Sequence, residues 1–279
     1  MFGIIFRLAW RLMVFVVGVG IAYITVRSIF PYLDRRLPLL LVVIIMYALV
    51  AYALIPGLVR LWRLVIKPNH IPVYVTTGDG WASDPVNIAV VCNSREQLID
   101  TMSKAGWTTA DKVTLTSFVR LGFSILLGKP YPTAPFSSLF LFNRRQDIGF
   151  QVQEGNPPTP RHRHHVRFWL LDQTAEDVHH SFWQKLLEHL FKSQQQIWIG
   201  AATHDIAPFA FRMRNLQVTH QIDSDTNKER DYLINTLKEA DLVRGVDEIT
   251  SGDSLAFRGQ TFGVNIVVDG QLKIVKIKS

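Results

Sequence analysis

The sequence predicts an α+β protein: an N-terminal transmembrane helical hairpin, then a mostly antiparallel sheet domain with helices on one side. Three observations predict it. Apolar residues are concentrated in residues 1–66, short runs with period-two alternation follow, and capped segments of helical period separate those runs. Composition agrees. Of the 279 residues 48% are apolar and 19% charged, where a soluble domain carries about 25% charge. Thirty Lys+Arg against 23 Asp+Glu leave +7, and mean hydropathy is +0.14. The aliphatic and aromatic content excludes disorder. A single cysteine, Cys92, excludes an intramolecular disulfide and a zinc site built mainly from cysteines.

The hairpin consists of two spans, about 8–30 and 37–59. Leu37 to Val59 is the stronger: 23 residues without a charge, or roughly 35 Å of helix against a hydrocarbon core of about 30 Å. Pro38 falls in its first turn, and Tyr52, Trp62, Arg60, Arg63 and Lys67 are placed as interfacial anchors. Leu12 to Val26, between Arg11 and Arg27, is shorter; Phe2 to Ala9 extends it, and both arginines can carry their charges to the interface. A cleaved signal peptide is the competing reading. The short connector holding Asp34, Arg35 and Arg36 favours two uncleaved, antiparallel spans. Arg7, Arg11, Arg60, Arg63 and Lys67 flank one side; Arg27, Arg35 and Arg36 flank the other. This bias predicts a multi-pass protein of the inner (plasma) membrane, with both termini and the soluble domain cytoplasmic.

Residues 67–83, with Pro68 and Pro72, read as a linker, and 84–279 as one domain. Pro85 to Val91 is a strand. Ser94 and Gln97 then form a capping box for a helix ending at Lys104 before Gly106. Val113 to Leu127 is a second helix, too short and too charged (Arg120) for a third span, and lies in the core or on a surface. Strands follow at Ser138–Phe142, Ile148–Gln153, His164–Leu171, Gln196–His204 and Leu216–Ile222. Residues 172–195 form an amphipathic helical insertion, packed on the domain or lying on the bilayer. Thr226 to Glu239 is a helix capped by Thr226 or Asp225. Phe262 to Lys278 is a hairpin about Asp269-Gly270, with Phe262, Val264, Ile266 and Val268 on one face.

Side-chain alternation places the candidate site residues. His164 shares a face with Val166, Phe168 and Leu170, and His220 with Val218 and Ile222. His204 falls with Trp198 and Ala202, and Asp205 lies opposite. Imidazoles on apolar faces need partners. His164, His204 and His220 either converge with Asp205 or Asp223 as metal ligands or a carboxylate-oriented general base, or each bonds separately within the core. No spacing motif ties them together, so no metal and no cofactor are assigned. Arg163, His165 and Arg167 form the other row of their strand, read as outward-facing. They suit a phosphate group or simply a solvated strand face. Nucleic acid is excluded as a partner by the short patch and the adjoining membrane. The acids at Asp223, Asp225 and Glu229 cap a helix, because a calcium loop would need a glycine and closing glutamate that are missing.

The soluble part resembles the LssY C-terminal domain family of bacterial proteins. The residues carrying the resemblance are DPVNIAVV (Asp84 to Val91), Gly106-Trp107 and KPYPTAPFSSLFLFNRRQDIGFQ (Lys129 to Gln151). RHHVRFW (Arg163 to Trp169), IGAATHD (Ile199 to Asp205) and VTHQIDSDTNKERDYL (Val218 to Leu233) continue it. The resemblance implies a family without a known activity, also found fused to membrane parts similar to DedA proteins and type-2 phosphatidic acid phosphatases. It therefore implies envelope or phospholipid metabolism. No motif of those phosphatases is present, and the insertion at Asp172 to Gln195 departs from the family pattern.

Together these readings predict a membrane-anchored protein whose partner is the lipid bilayer, binding a lipid phosphate or a membrane partner. Arg163, His165 and Arg167 would contact an anionic lipid headgroup. One alternative is a hydrolase of a lipid-linked phosphate using His164, His204, Asp205, His220 and Asp223. The other is a structural component of an envelope complex, docked by the inserted helix to an envelope membrane protein.

Overall fold

In the computed structural model, the residues described are Met13, 16–55, 57–58, 74–78, Gly80, 82–141, 144–171, 195–212, 217–250, 255–258 and 265–278. The fold is α+β, with one N-terminal helix long and apolar enough to cross a membrane and a mostly antiparallel sheet domain. Two compact units divide the chain between them.

The N-terminal unit holds α1 (Val16–Asp34) and α2 (Leu39–Leu54). The first, 19 residues with Thr25 alone buried among them, is the helix that qualifies as a span; α2 is shorter. The sequence ranks them the other way. Helix α1 gains length by running through Arg27 and Pro31, while Pro56 and Val59 of the second predicted span lie outside the described residues. Both helices widen into a π-turn just before a proline. Phe30 N–H bonds Thr25 O ahead of Pro31, and Ile55 N–H bonds Val50 O ahead of Pro56. Proline supplies no donor and its ring crowds the carbonyl one turn back, so a wider turn relieves the helix there. Gly18 stands so close to Leu58 that a Cβ would come within 2.9 Å of the leucine's Cδ2.

The second unit is built on an eight-stranded sheet. Its strands are β3 (Ile88–Cys92), β4 (Thr108–Thr109), β7 (Ile148–Glu154), β8 (Thr159–Leu170), β9 (Gln196–Arg212), β10 (Gln217–Ile222), β11 (Val243–Thr250) and β14 (Gln271–Ile277). They lie in the order β11-β14-β3-β9-β8-β7-β4, with β10 on β9. β14 and β3 run parallel, while β11–β14, β3–β9, β9–β8, β8–β7 and β7–β4 are antiparallel. Two helices, α3 (Arg95–Lys104) and α5 (Thr226–Glu239), cover one face, where Leu98, Met102, Leu233 and Leu237 pack on Phe150, Phe168 and Trp198. The opposite face carries Ala89, Val91, Trp169, Ile197 and Ile199. It packs against Val75 and Leu139 of a smaller sheet formed by β1 (Tyr74–Thr77), β2 (Ala82–Pro85), β5 (Leu139–Leu141) and β6 (Arg144–Arg145). Central strands are thus buried on both faces, which is why β3 is apolar throughout.

Local signals set the helix ends. Ser94 Oγ accepts Gln97 N–H at 3.2 Å while Gln97 Oε1 accepts Asn93 N–H, closing the cap of α3. A third helix, α4 (Leu115–Leu127), starts at a capping box between Thr114 and Ser117 and stops at Gly128, whose φ of 63° a side chain would disfavour. Asp225, rather than Thr226, caps α5.

The C-terminal hairpin does not form. Two-stranded pairing joins β12 (Leu255–Arg258) to β13 (Asn265–Val268), while β14 leaves for the main sheet. The reason is Asp269: its carboxylate accepts from Arg230 Nη1 and Gln271 N–H, tying the turn to α5 instead of letting it close a ladder. Strands β1 and β2 begin within the stretch read as a linker. The expected helix at 172–195 lies, but for Gln195, outside the described residues.

Candidate functional site

Register decides which candidate residues meet. On β8 and β9, Arg163 pairs with Asp205, His164 with His204 and His165 with Thr203. Because a strand alternates, odd positions point toward the small sheet and even positions toward α5. Two polar clusters therefore stand back to back.

On the small-sheet side, Arg163 is fully buried. Its Nε donates to Asp205 Oδ2 at 2.9 Å and its Nη1 to Gln151 Oε1 at 3.1 Å. Arg167 Nη1 donates to Asp84 Oδ2 at 2.9 Å and toward His165 Nδ1 at 3.2 Å. That contact makes Nδ1 the acceptor, so the Nε2–H of His165 donates to Asp205 Oδ1 at 3.1 Å. Phe136 stacks on His165 and lies 4.6 Å beneath the Arg167 guanidinium. These groups border a cavity of about 50 Å³, together with Ser83, Ser137, Thr219 and His220. Two buried nitrogens here, Arg163 Nη2 and His220 Nδ1, have no partner among the described residues.

Electrostatics follow from burial. Desolvation pushes His220 down to about 4, and both arginines and His165 add to that against the pull of Asp205. Burial also lowers His165, outweighing Asp205. Burial alone would raise Asp205, yet the imidazoles of His165 and His220 and the guanidinium of Arg163 hold it well below the usual carboxylate range. Two arginines balance two aspartates, and both imidazoles are neutral near pH 7.

The row Arg163, His165 and Arg167 is thus not the solvated face expected from sequence. Asp84 of β2 and Phe136 cover it, and each charge has an internal partner. Nor do the three histidines share one cavity. His220 and Asp205 border this one; His164 and His204 stand behind the sheet. Asp223 belongs to neither group: its carboxylate accepts Asp225 N–H in the turn before α5.

On the helix side, the rings of His164 and His204 stack 4.3 Å apart. Glu154, at the end of β7, reaches both: Oε1 lies 2.8 Å from His164 Nε2 and Oε2 3.2 Å from His204 Nε2. Glu229, buried in the first turn of α5, accepts from His164 Nδ1 at 2.6 Å, and the Tyr232 ring stacks on His164 at 3.9 Å. Burial works against a charged His164, but the hydrogen bond and charge of Glu229, with help from Glu154, raise its pKa. Burial likewise opposes ionised Glu154, yet His204 and then His164 leave its pKa lowered. Donor atoms of Glu154, His164 and His204 all lie within 4.8 Å of one another, the arrangement that could hold a metal. Sequence reasoning missed both glutamates as site members. Glu229 was legible, because it stands four and eight residues before buried Leu233 and Leu237 on one helix face. Glu154, at a strand end beside Gly155, carries no such signal.

The sequence profile described as LssY C-terminus matches residues 68–272, most of the chain and all of the residues just described. The chain belongs to the LssY C-terminal family. No curated protein and no solved structure matches it. The match opens inside the stretch read as a linker, so the LssY C-terminal domain includes β1.

One further surface of the LssY C-terminal domain is apolar. Helix α4 buries Ser117, Leu121, Ser124 and Ile125 but leaves Leu115 81%, Phe118 63%, Phe123 60% and Leu126 70% exposed. Arg161 Nε holds its end to β8 by donating to Ile125 O at 2.8 Å.

Proposed function

We propose that this protein is a membrane-anchored receptor for a phosphate group, carried on a lipid or presented free, rather than an enzyme. One observation carries the proposal: fully buried Arg163 borders a cavity with its Nη2 unpartnered among the described residues. A buried guanidinium donor without an acceptor is costly, and a charge-assisted bond to an oxyanion would recover about 1.5–3 kcal/mol. His220 Nδ1 offers a second donor. At roughly 10–15 Å³ of such space per water, a cavity of about 50 Å³ has room for one phosphate-sized group. Arg163 and Arg167 thereby keep the anion-binding role read from sequence, in a pocket instead of on a surface.

Hydrolysis by His220 and Asp205 is the second reading, since both border the same cavity. A histidine at about 4 is a weak base at neutral pH, which favours binding over chemistry.

Anchoring is proposed through α1 and α2 as a multi-pass pair, both termini cytoplasmic, with the apolar face of α4 against the bilayer. Lys112, Arg120 and Lys129 on and around α4 are exposed, as an anionic lipid surface requires. The chain leaving α4 turns between Tyr131 and Ala134 and then reaches Phe136 and Ser137 of the cavity wall.

The test uses full-length protein in neutral detergent, titrated with inorganic phosphate and, separately, with phosphatidate in mixed micelles. Saturable binding weakened about tenfold or more by His220→Asn, whose ring Nδ1 has no partner among the described residues, and by Arg163→Lys supports the receptor. Binding of phosphate alone identifies a free anion, and of phosphatidate alone a lipid headgroup. No binding of either by folded wild type removes the proposal.

A further inference from the structure

The helix-side cluster supports an inference independent of the cavity. We propose that Glu154, His164 and His204 are the ligands of a divalent transition cation of the zinc class, with Glu229 orienting His164 from behind. The geometry of hydrogen and lone pair carries it. His164 Nδ1 lies 2.6 Å from Glu229 Oε2 and must donate to it, since a carboxylate only accepts. The neutral form of His164 that ligates a metal then keeps a lone pair on Nε2, and that nitrogen faces Glu154 Oε1 at 2.8 Å. His204 Nε2 faces the other oxygen of Glu154 at 3.2 Å. One carboxylate and two ring nitrogens thus converge within 4.8 Å, a place that ring protons bridge in the absence of an ion and that a single cation fits.

The donor set matches that cation. Two imidazoles and one carboxylate suit zinc and its neighbours, and three protein ligands leave a coordination position open for water or a small ligand. Bonds of about 2.0–2.1 Å to a tetrahedral ion set ligands about 3.3 Å apart. Seating an ion would thus widen the contacts of Glu154 by only a few tenths of an ångström at His164 and less at His204. The rings, 14° from parallel, would fan apart so that each nitrogen lone pair points at the ion. Behind them, the Glu229–His164 hydrogen bond is the carboxylate–imidazole pairing that fixes ring orientation and ligand basicity at metal sites. Two carboxylates around two imidazoles give the cluster the charge a divalent ion neutralises. Side-chain exposures of 12% for His164, 21% for His204 and 42% for Glu154 leave the ligands reachable from solvent. Tyr232, itself exposed, stacks on His164.

The test titrates full-length protein, stripped with chelator in neutral detergent, with zinc by calorimetry and with cobalt by visible absorption. The proposal expects one tight equivalent, a zinc-dependent rise in Tm, and the intense visible bands of four-coordinate cobalt. His204→Ala and Glu154→Gln should each weaken zinc at least a hundredfold and abolish the rise. His162→Ala, an exposed histidine outside the cluster, should change neither. Glu229→Gln should weaken binding by about ten- to a hundredfold, the usual cost of an outer-shell partner. Folded wild type without a tight equivalent overturns the proposal. So does zinc binding that survives both His204→Ala and Glu154→Gln, which would assign the ion to other histidines.

Discussion

His164 and His204 face each other across β8 and β9 with their rings 4.3 Å apart, and their sequence neighbours Arg163 and Asp205 form an ion pair on the opposite face. One hydrogen-bonded register therefore assembles two clusters of different chemistry. The helix-side cluster gathers two imidazoles and two carboxylates. The cavity side gathers two guanidinium groups, two imidazoles and two aspartates.

Removing one partner of the buried pair should be costly. Arg163→Met leaves the Asp205 carboxylate without its 2.9 Å guanidinium contact and should lower stability by about 3–5 kcal/mol. Asp205→Asn should also destabilise, and the double variant should lose less than the sum by about 0.5–3 kcal/mol. Denaturant unfolding of the full chain in detergent, followed through buried Trp169 and Trp198, measures all three. Additive losses would contradict direct coupling.

Gly149→Ala should strike the cavity from behind. A Cβ there would run into the ring of Phe136, which stacks on His165 and supports Arg167. Overpacking of this kind costs about 1–3 kcal/mol. Adding Phe136→Leu should restore part of the loss, and failure to do so would show that the strain lies elsewhere.

His220 sets a pH dependence. Its pKa falls from the ordinary 6.5 to about 4 in the fold. Between those values the unfolded chain holds more protons, so stability climbs with pH across that window and is lost as pH drops through it. In His220→Asn, stability measured from pH 7 to pH 4 should decline less steeply. An identical slope would mean that His220 is not buried as a neutral ring.

The exposed face of α4 can be altered without touching the core. Replacing Phe118, Phe123 and Leu126 together with serine should cost little stability, since each is at least 60% exposed. Retention of the variant's α4 at the bilayer should fall, read as greater access of a water-borne quencher to a fluorophore at position 119. Equal access in both proteins would rule lipid out as the cover of this face.

Topology can be read with cysteines. Cys92 is fully buried and desolvation pushes its thiol up to about 11, so it stays silent. Asp34→Cys, at the last residue of α1 before the connector, should react with a membrane-impermeant maleimide in intact cells if both termini are cytoplasmic. Labelling only after lysis would reverse the orientation.

Helices α3 and α5 were legible nearly to the residue, because their ends are written locally in Ser94, Gln97 and Asp225. The hairpin about Asp269-Gly270 was misread because its aspartate is engaged by Arg230, a residue 39 positions away. Alternation sorted Arg163, His165 and Arg167 from His164 correctly. It could not say which row was covered, since β8 is buried on both sides and charges normally mark the outside. His164 and His204 were legible as histidines needing partners. Those partners, Glu154 and Glu229, arrive from β7 and α5, and only tertiary packing brings them in.

The interleaving of Arg163, His164 and His165 along one strand makes β8 intolerant of changes in length. Deleting a single residue there would turn the strand inside out from that point, aiming the His164 side into the cavity and the guanidinium groups at α5. Substitutions can adjust either chemistry alone; insertions and deletions cannot. Natural length variation in relatives should accordingly be confined to the loops and absent from positions 163–167 and 203–205.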